Sequence, residues 1–169
     1  MPVKLSTRAR YALRLMLQIA KQADRNIPVS LQQVARQGEM PRRYLEQLVI
    51  GLKNASLIRG VSGKIGGYCL TKPAGEIKIG AIIESAIGPV NIVDCVNEPR
   101  QCLKADVCEC RLLWAVINGR IVDVFNEISL ADMLDKKWYR LMSRQLTPRP
   151  GGPTTRRKPG STPTSGATQ

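Results

Sequence analysis

Apolar residues in the first 55 positions recur at helical spacing in three blocks. From Thr7 onward, Ala12, Leu15, Met16, Ile19 and Ala23 share one stripe while Arg14, Gln18, Lys21 and Arg25 take the other side. That pattern predicts an amphipathic helix over 7–23 with a basic outer face. Ser30 followed three residues later by Gln33 reads as a capping box, and Leu31, Val34 and Ala35 supply the buried side of a short second helix. Gly38 offers that helix a left-handed stop. Pro41 suits the first position of a third helix. In it Leu45, Leu48, Val49 and Leu52 point inward, and Arg42, Arg43, Glu46, Gln47 and Lys53 point outward. The period then changes to that of strands. Leu57 to Val61 and Tyr68 to Thr71 are short extended runs joined by Ser62-Gly63-Lys64-Ile65-Gly66-Gly67, a glycine-rich connection of hairpin length.

Three helices and a hairpin in about 70 residues is the element order of a winged helix-turn-helix, with the third helix offered to the major groove and the hairpin as wing. A small basic α+β domain for RNA has the same elements. Tyr68 is the lone aromatic of the hairpin, however, and stacking on single strands needs more, so duplex DNA is the favoured partner.

Past the hairpin, Ile79, Ile82, Ile83 and Ala86 predict a short helix ended by Gly88-Pro89. Then Trp114, Ile117, Ile121, Val124 and Ile128 follow a 3,4,3,4 spacing, the seam of a helix lying along a near-parallel partner. Two heptads fit internal packing as well as self-association; palindromic DNA sites go with two-fold dimers, which favours a homodimer interface on the 112–128 helix. Ser129 with Asp132 caps one more helix, whose inner stripe is Leu130, Met133, Leu134, Trp138 and Leu141. From Thr147 to Gln169 the mixture of Pro, Gly, Ser, Thr and Arg cannot bury apolar surface and predicts a disordered basic tail, or in part an expression remnant. The expected fold is mainly α with a small β-hairpin wing. It divides into a DNA-binding winged helix-turn-helix domain over 1–75, a loop and dimerisation helices over 76–146, and a tail over 147–169.

Charge sharpens this division. The net charge is +13 and the pI about 10.0, which makes a polyanion the default partner. From Met1 to Gly75 there are 13 basic residues against Asp24, Glu39 and Glu46, whereas from Glu76 to Leu146 nine bases meet ten acids. One half grips a polyanion and the other does something else. Apolar runs fall short of the roughly 20 residues that span a bilayer, and charges break the N-terminus too often for a secretory signal. A basic, acid-free start also suits an organelle transit peptide, but the segment fits as the first helix, and a cytoplasmic location without membrane contact is expected.

The chain contains no histidine. Serine and cysteine nucleophiles paired with imidazole, HExxH metalloproteases and His-ligated zinc hydrolases are therefore excluded. A GxxxxGK[ST] loop and a GxSxG elbow are absent as well, so no enzyme is expected.

The remaining chemistry sits in cysteines. Cys95, Cys102, Cys108 and Cys110 fall within sixteen residues, a density that in a reducing compartment points to a metal. Structural zinc more often shows paired CxxC knuckles; uneven thiolates ahead of a helix suit an iron-sulfur cluster equally. Unligated or disulfide-switching thiols are the plain alternative, and Cys69, between Tyr68 and Leu70, reads as a small buried hydrophobe.

Ser6-Thr7-Arg8-Ala9-Arg10-Tyr11-Ala12-Leu13, Tyr44-Leu45-Glu46-Gln47-Leu48, Gly66-Gly67-Tyr68-Cys69-Leu70 and the cysteine loop closing on Leu112-Leu113-Trp114 together resemble the IscR-type iron-sulfur regulators of the Rrf2 family of bacterial transcription factors, from about Val3 to Arg144. The resemblance implies a homodimeric winged-helix repressor whose DNA binding is set by a bound cluster, most often 2Fe-2S, and whose usual targets are cluster-assembly genes. It also implies Cys95, Cys102 and Cys108 as cluster thiolates. The chain departs from the family at four places, the first being a gap between Cys95 and Cys102 one residue longer than in the best-known members. Arg111 stands where a histidine ligand is usual, Arg10 where nitric-oxide-sensing relatives carry an acid, and Ser62 where an Arg of the wing enters the minor groove, leaving Lys64 nearest. With no imidazole, the fourth ligand is Cys110, a local carboxylate, Glu46, or an external donor.

On the DNA side, Arg42 or Arg43 can donate to guanine or phosphate, and Gln47 can pair with an adenine edge. Glu46 accepts only from a base amino group such as cytosine N4 and would reject sites lacking one; a solvated helix charge is its plain reading. Arg8, Arg14, Arg59 and Lys64 are expected on phosphates. A zinc- or thiol-switched repressor of the same fold remains an alternative. A basic RNA-binding protein would explain the charge but not the cysteine loop.

Overall fold

The computed structural model describes residues 6–23, 27–63, 66–102 and 104–145. Lys64 and the expected basic tail lie outside the described residues. Helix α1, Thr7–Ala20, starts where the Ser6 hydroxyl accepts from the Ala9 N–H at 3.2 Å. Its buried stripe is Ala9, Ala12, Leu15, Met16, Ile19 and Ala20. Ala23, expected on that stripe, lies exposed beyond the end of the α-helix. The chain tightens there, the Gln22 N–H reaching back to Ile19, and leaves for Val29, which must reach the sheet.

Helix α2, Leu31–Gly38, is capped by Ser30, whose hydroxyl accepts from the Gln33 N–H at 3.2 Å. The left-handed residue is Glu39 (φ 49°, ψ 44°) rather than Gly38. Gly38 is the last residue of the helix, beside the terminal methyl of Met40. Helix α3, Arg42–Asn54, begins right after Pro41 and buries the four positions its sequence stripe predicts, Leu45, Leu48, Val49 and Leu52.

Strands β1, Ile58–Val61, and β2, Gly67–Leu70, pair antiparallel with Ile58 opposite Leu70 and Val61 opposite Gly67. Val29 adds a third rung. Its N–H donates to Tyr68 O at 3.0 Å, and the Tyr68 N–H donates back at 2.9 Å. Gly67 permits this approach, because a Cβ would sit 2.6 Å from the Val29 backbone. Cys69 is buried.

Helix α4, Ile79–Ile87, ends at Gly88 (φ +80°) and buries Ile79, Gly80, Ile82, Ile83 and Ala86. It packs on α1 and α3, so that Ile79, Ile82 and Ile83, with Ile77 and Leu130, share one core with the first three helices. Gly51 of α3 makes the crossing possible: a Cβ there would collide with the Ser85 carbonyl oxygen.

A short helix α5, Asp94–Asn97, and two single turns lead to α6, Glu109–Glu127, which lies against α4 and α5. Beyond it, segment 128–131 is pinned to 74–79 by backbone bonds, among them Ile79 N–H to Ile128 O at 3.0 Å and Leu130 N–H to Ile77 O at 2.8 Å. The helix expected from Ser129 onward is therefore split. Ser129 and Asp132 make the predicted reciprocal cap, the Asp132 carboxylate accepting from the Ser129 N–H at 2.8 Å and Oγ–H at 2.6 Å, but over a single 3-10 turn, Asp132–Leu134. Those bonds from Ser129, with the Lys78 charge adding to them, hold the Asp132 carboxyl below the usual carboxylate range. Asp135 is extended and its carboxylate accepts from the Lys137 N–H at 2.7 Å, starting a separate helix α7, Lys136–Gln145. Leu130 is buried and Met133 and Leu134 pack on the core, while Trp138 is half-buried and Leu141 exposed.

Candidate DNA interface and cysteine loop

With one face of α3 buried, the opposite face carries Arg43, Gln47, Ile50 and Asn54 along one line, at the i, i+4, i+7, i+11 spacing of a helix surface stripe, all exposed. Arg42 and Glu46 flank it and pair with each other, Nε to Oε1 at 3.1 Å, in the open. An exposed i,i+4 pair contributes only about 0.3–0.5 kcal/mol, so both groups stay available to a partner. Glu46 is thus a paired surface carboxylate rather than a bare one.

Of the basic residues expected on phosphates, Arg8, Arg14 and Arg59 are described, and all three are exposed. Arg8 is exposed in the first turn of α1, and Arg59 is exposed on β1 at the root of the wing, with Ser62 exposed just beyond. Arg14 is exposed on α1 with its guanidinium 5.9 Å from the Tyr11 ring centre. Tyr11 in turn meets Tyr44 of α3 edge to face, with centroids 5.5 Å apart. This aromatic link fixes the first turn of α3 relative to α1. Sequence reasoning did not single it out, because neither tyrosine breaks a helical pattern.

Of the loop cysteines, Cys95 lies half-buried on α5, Cys102 is exposed, Cys108 is half-buried at the N-cap of α6, and Cys110 is exposed in the first turn of α6. Two residues of α6 tie the loop down. Arg111 donates from Nε to the Cys95 carbonyl at 2.9 Å. Asn118, the buried residue of α6, accepts from the Ile92 N–H and donates to Val90 O, each at 3.0 Å. A lone amide within the run Ile117 to Ile121 was the sequence signal for this clamp.

In donor chemistry the loop suits an iron-sulfur cluster, offering soft thiols and carboxylates and no imidazole. Among the described residues, no three of Cys, Asp and Glu already stand close enough together to hold a metal ion.

The rest of α6 is open. Leu112, Leu113, Val116 and Val124 are exposed, and of the 3,4,3,4 seam Trp114 and Val124 are exposed while Ile117 and Ile121 are half-buried. Ile128 instead packs on the chain's own core, together with Phe125. No helix among the described residues is long and apolar enough to cross a membrane.

A winged helix with a basic, outward reading helix and a cysteine loop leading into an open apolar helix defines a transcription regulator of the winged-helix class. Residues 5–136 match the Rrf2 family of iron-dependent transcriptional regulators, and the chain belongs to that family, whose members are regulators and not enzymes. It is similar to IscR of Pectobacterium atrosepticum, at 32% identity over 135 residues, 80% of this chain and 81% of that protein. The structure of IscR from T. potens superposes with a TM-score of 0.66 at 28% identity, covering 88% of this chain and 95% of that one. CymR, the global cysteine regulator of B. subtilis, superposes with a TM-score of 0.64 at 32% identity, covering 78% and 96%.

Proposed function

We propose that this Rrf2 regulator is a cytoplasmic, homodimeric repressor that reads duplex operators and whose DNA binding is controlled by an iron-sulfur cluster, its targets being cluster-assembly genes. The observation that carries this reading is the placement of four of the five cysteines in the one loop that α6 clamps through Arg111 and Asn118. In it, residues 1–75 read DNA and residues 76–146 sense and dimerise. Cys95, Cys102 and Cys108 are the thiolate ligands, with Cys110 or a carboxylate, Glu46 included, as the fourth. When bound, a cluster of 2Fe-2S type supplies an oxidation- and iron-sensitive crosslink of this loop. Arg111 and Asn118 hold the loop against α6, so a change in loop shape is passed to the helix that joins two protomers. On DNA, Arg42, Arg43 and Gln47 meet base edges, Glu46 rejects sites without an amino donor, and Arg8, Arg14, Arg59 and Lys64 meet phosphates.

A second reading, a thiol- or zinc-switched repressor, is favoured by the likeness to a cysteine regulator and by exposed Cys102 and Cys110.

Anaerobic purification followed by iron, sulfide and zinc counts separates the two, with operator binding measured on loaded and unloaded protein. Iron and sulfide in equal numbers, lost together from Cys95→Ala, are expected. Stoichiometric zinc in colourless protein would transfer the proposal to the second reading. Each phosphate contact should contribute about 0.9 to the slope of log affinity against log salt, and removal of 147–169 should lower that slope only slightly.

A further inference from the structure

Ile50 is the one residue of the outward face of α3 that water does not welcome. It is 62% exposed, although the same helix buries Leu45, Leu48, Val49 and Leu52 almost completely. The other outward positions, Arg42, Arg43, Glu46, Gln47, Lys53 and Asn54, are all charged or amide-bearing. Single surface hydrophobes need no explanation when scattered at a margin. Ile50 is not at a margin. It lies on the centre line with Arg43, Gln47 and Asn54, opposite the buried stripe, so whatever meets that line meets its side chain.

A protein partner would be expected to find further exposed apolar residues on the same helix, and Ile50 is the one large apolar side chain that α3 exposes. The other outward positions of α3 are charged or amide groups, suited to phosphates and base edges. On a major-groove floor, the apolar feature available to a lone aliphatic side chain is the C5-methyl of thymine. We propose that Ile50 is a specificity-determining residue that packs on a thymine methyl. The inference rests on the DNA reading above and names one base that this reading selects.

Its position in the site follows from helix geometry. Ile50 lies four residues past Glu46, about 6 Å along the axis at 1.5 Å per residue, or about two base-pair steps at 3.4 Å each. The thymine should therefore fall within about two base pairs of the position whose preference Glu46→Ala relaxes.

The test begins by enriching duplexes from a random-sequence pool with the full-length chain at low salt. The best duplex is then measured with each dT replaced in turn by dU, which deletes the methyl and leaves pairing intact. One dT→dU change per half-site should weaken binding about fourfold, the equivalent of about 0.8 kcal/mol for one buried carbon. With Ile50→Ala that change should cost nothing, and with Ile50→Val it should keep part of its cost. Because Ile50 is exposed, both variants should unfold at the wild-type midpoint. Indifference of the wild type to every dU, or a dU penalty that survives Ile50→Ala, would overturn the assignment while leaving DNA recognition standing. If no duplex were enriched over background, DNA recognition itself would fall.

Discussion

Helices α3 and α6 carry similar proportions of large apolar residues, yet the chain treats them oppositely. In α3 the stripe Leu45, Leu48, Val49 and Leu52 is buried by α1, α2 and α4. In α6 the fully buried residue is an asparagine, while Leu112, Leu113, Val116 and Val124 face out. An element whose pattern is answered inside the chain is finished; one whose pattern is left open requires a surface the chain does not contain. The proposed function gives the contrast a use. A helix that reads DNA would stand rigidly on its own core so that its polar face is presented in one register, and a helix that joins two protomers would keep its apolar face for the partner.

The sharpest way to break the comparison is to make the α6 face polar. Leu112→Asp with Val116→Asp replaces residues that are 67% and 64% exposed and stand outside the core, so each protomer should keep its helicity. In a two-fold interface each substitution counts twice. At about 1.5–3 kcal/mol per large apolar side chain, dimer dissociation should rise by about ten-thousandfold or more. Light scattering should show monomer at micromolar concentration, and palindromic operators should be bound far more weakly. A variant that stays dimeric would place the interface elsewhere.

Two glycines give the same contrast within single chains. Gly51→Ala thrusts a methyl into the Ser85 carbonyl, backbone against backbone, and should cost about 1–3 kcal/mol by prising α3 from α4. Gly119 of α6 has open space around it, so Gly119→Ala should stabilise the monomer by about 0.5–1 kcal/mol. Urea unfolding of both variants in the Leu112→Asp, Val116→Asp background removes dimerisation from the measurement. A loss at Gly119 as large as that at Gly51 would mean α6 is packed more tightly than it stands here.

How much of this was legible in the sequence divides along the same line. The stripe of α3 could be read because local periodicity and internal burial agree, and the hairpin because a glycine-rich connection separates two short extended runs. Two local signals were misplaced. The left-handed stop falls on Glu39 rather than Gly38, and the ladder from 74–79 to 128–131, a tertiary contact, broke one expected helix into a turn and α7. In the candidate site, the outward residues of α3 followed from the inward ones. Ile50 was not read, because in the sequence it continues the apolar run Leu48-Val49 and its exposure emerges in the fold. The clamps of Arg111 and Asn118 on the cysteine loop join residues 16 to 28 apart, and no spacing rule reaches that far.

Asn118 tests whether α6 governs the loop. Asn118→Ala would strand the Val90 carbonyl and the Ile92 N–H, each otherwise satisfied by this one amide. The cost should be about 1–3 kcal/mol, felt locally. Hydrogen exchange should quicken through 90–95 while amides of α1 and α3 keep their protection. Uniform loss of protection would make Asn118 a general core residue rather than a loop clamp.

The smallest effect concerns the junction that joins the two regions, where Asp132 is held by Ser129. Its carboxyl is depressed by the Ser129 hydroxyl and backbone N–H, with Lys78 assisting. A carboxyl whose folded pKa lies below its unfolded value, about 3.9, contributes stability that is present above the unfolded pKa and lost as pH falls through the folded one. Asp132→Asn keeps an acceptor oxygen but removes the charge that strengthens both bonds. The difference between charged and neutral hydrogen bonding is about 1 kcal/mol. Urea unfolding at pH 7 should show the variant weaker by about that amount, and the gap should narrow steadily below about pH 4 as the wild-type carboxyl is itself neutralised. An equal gap at pH 7 and pH 3 would assign the loss to amide geometry instead of charge. No gap at either pH would mean that the ladder between 74–79 and 128–131 holds this junction without the cap.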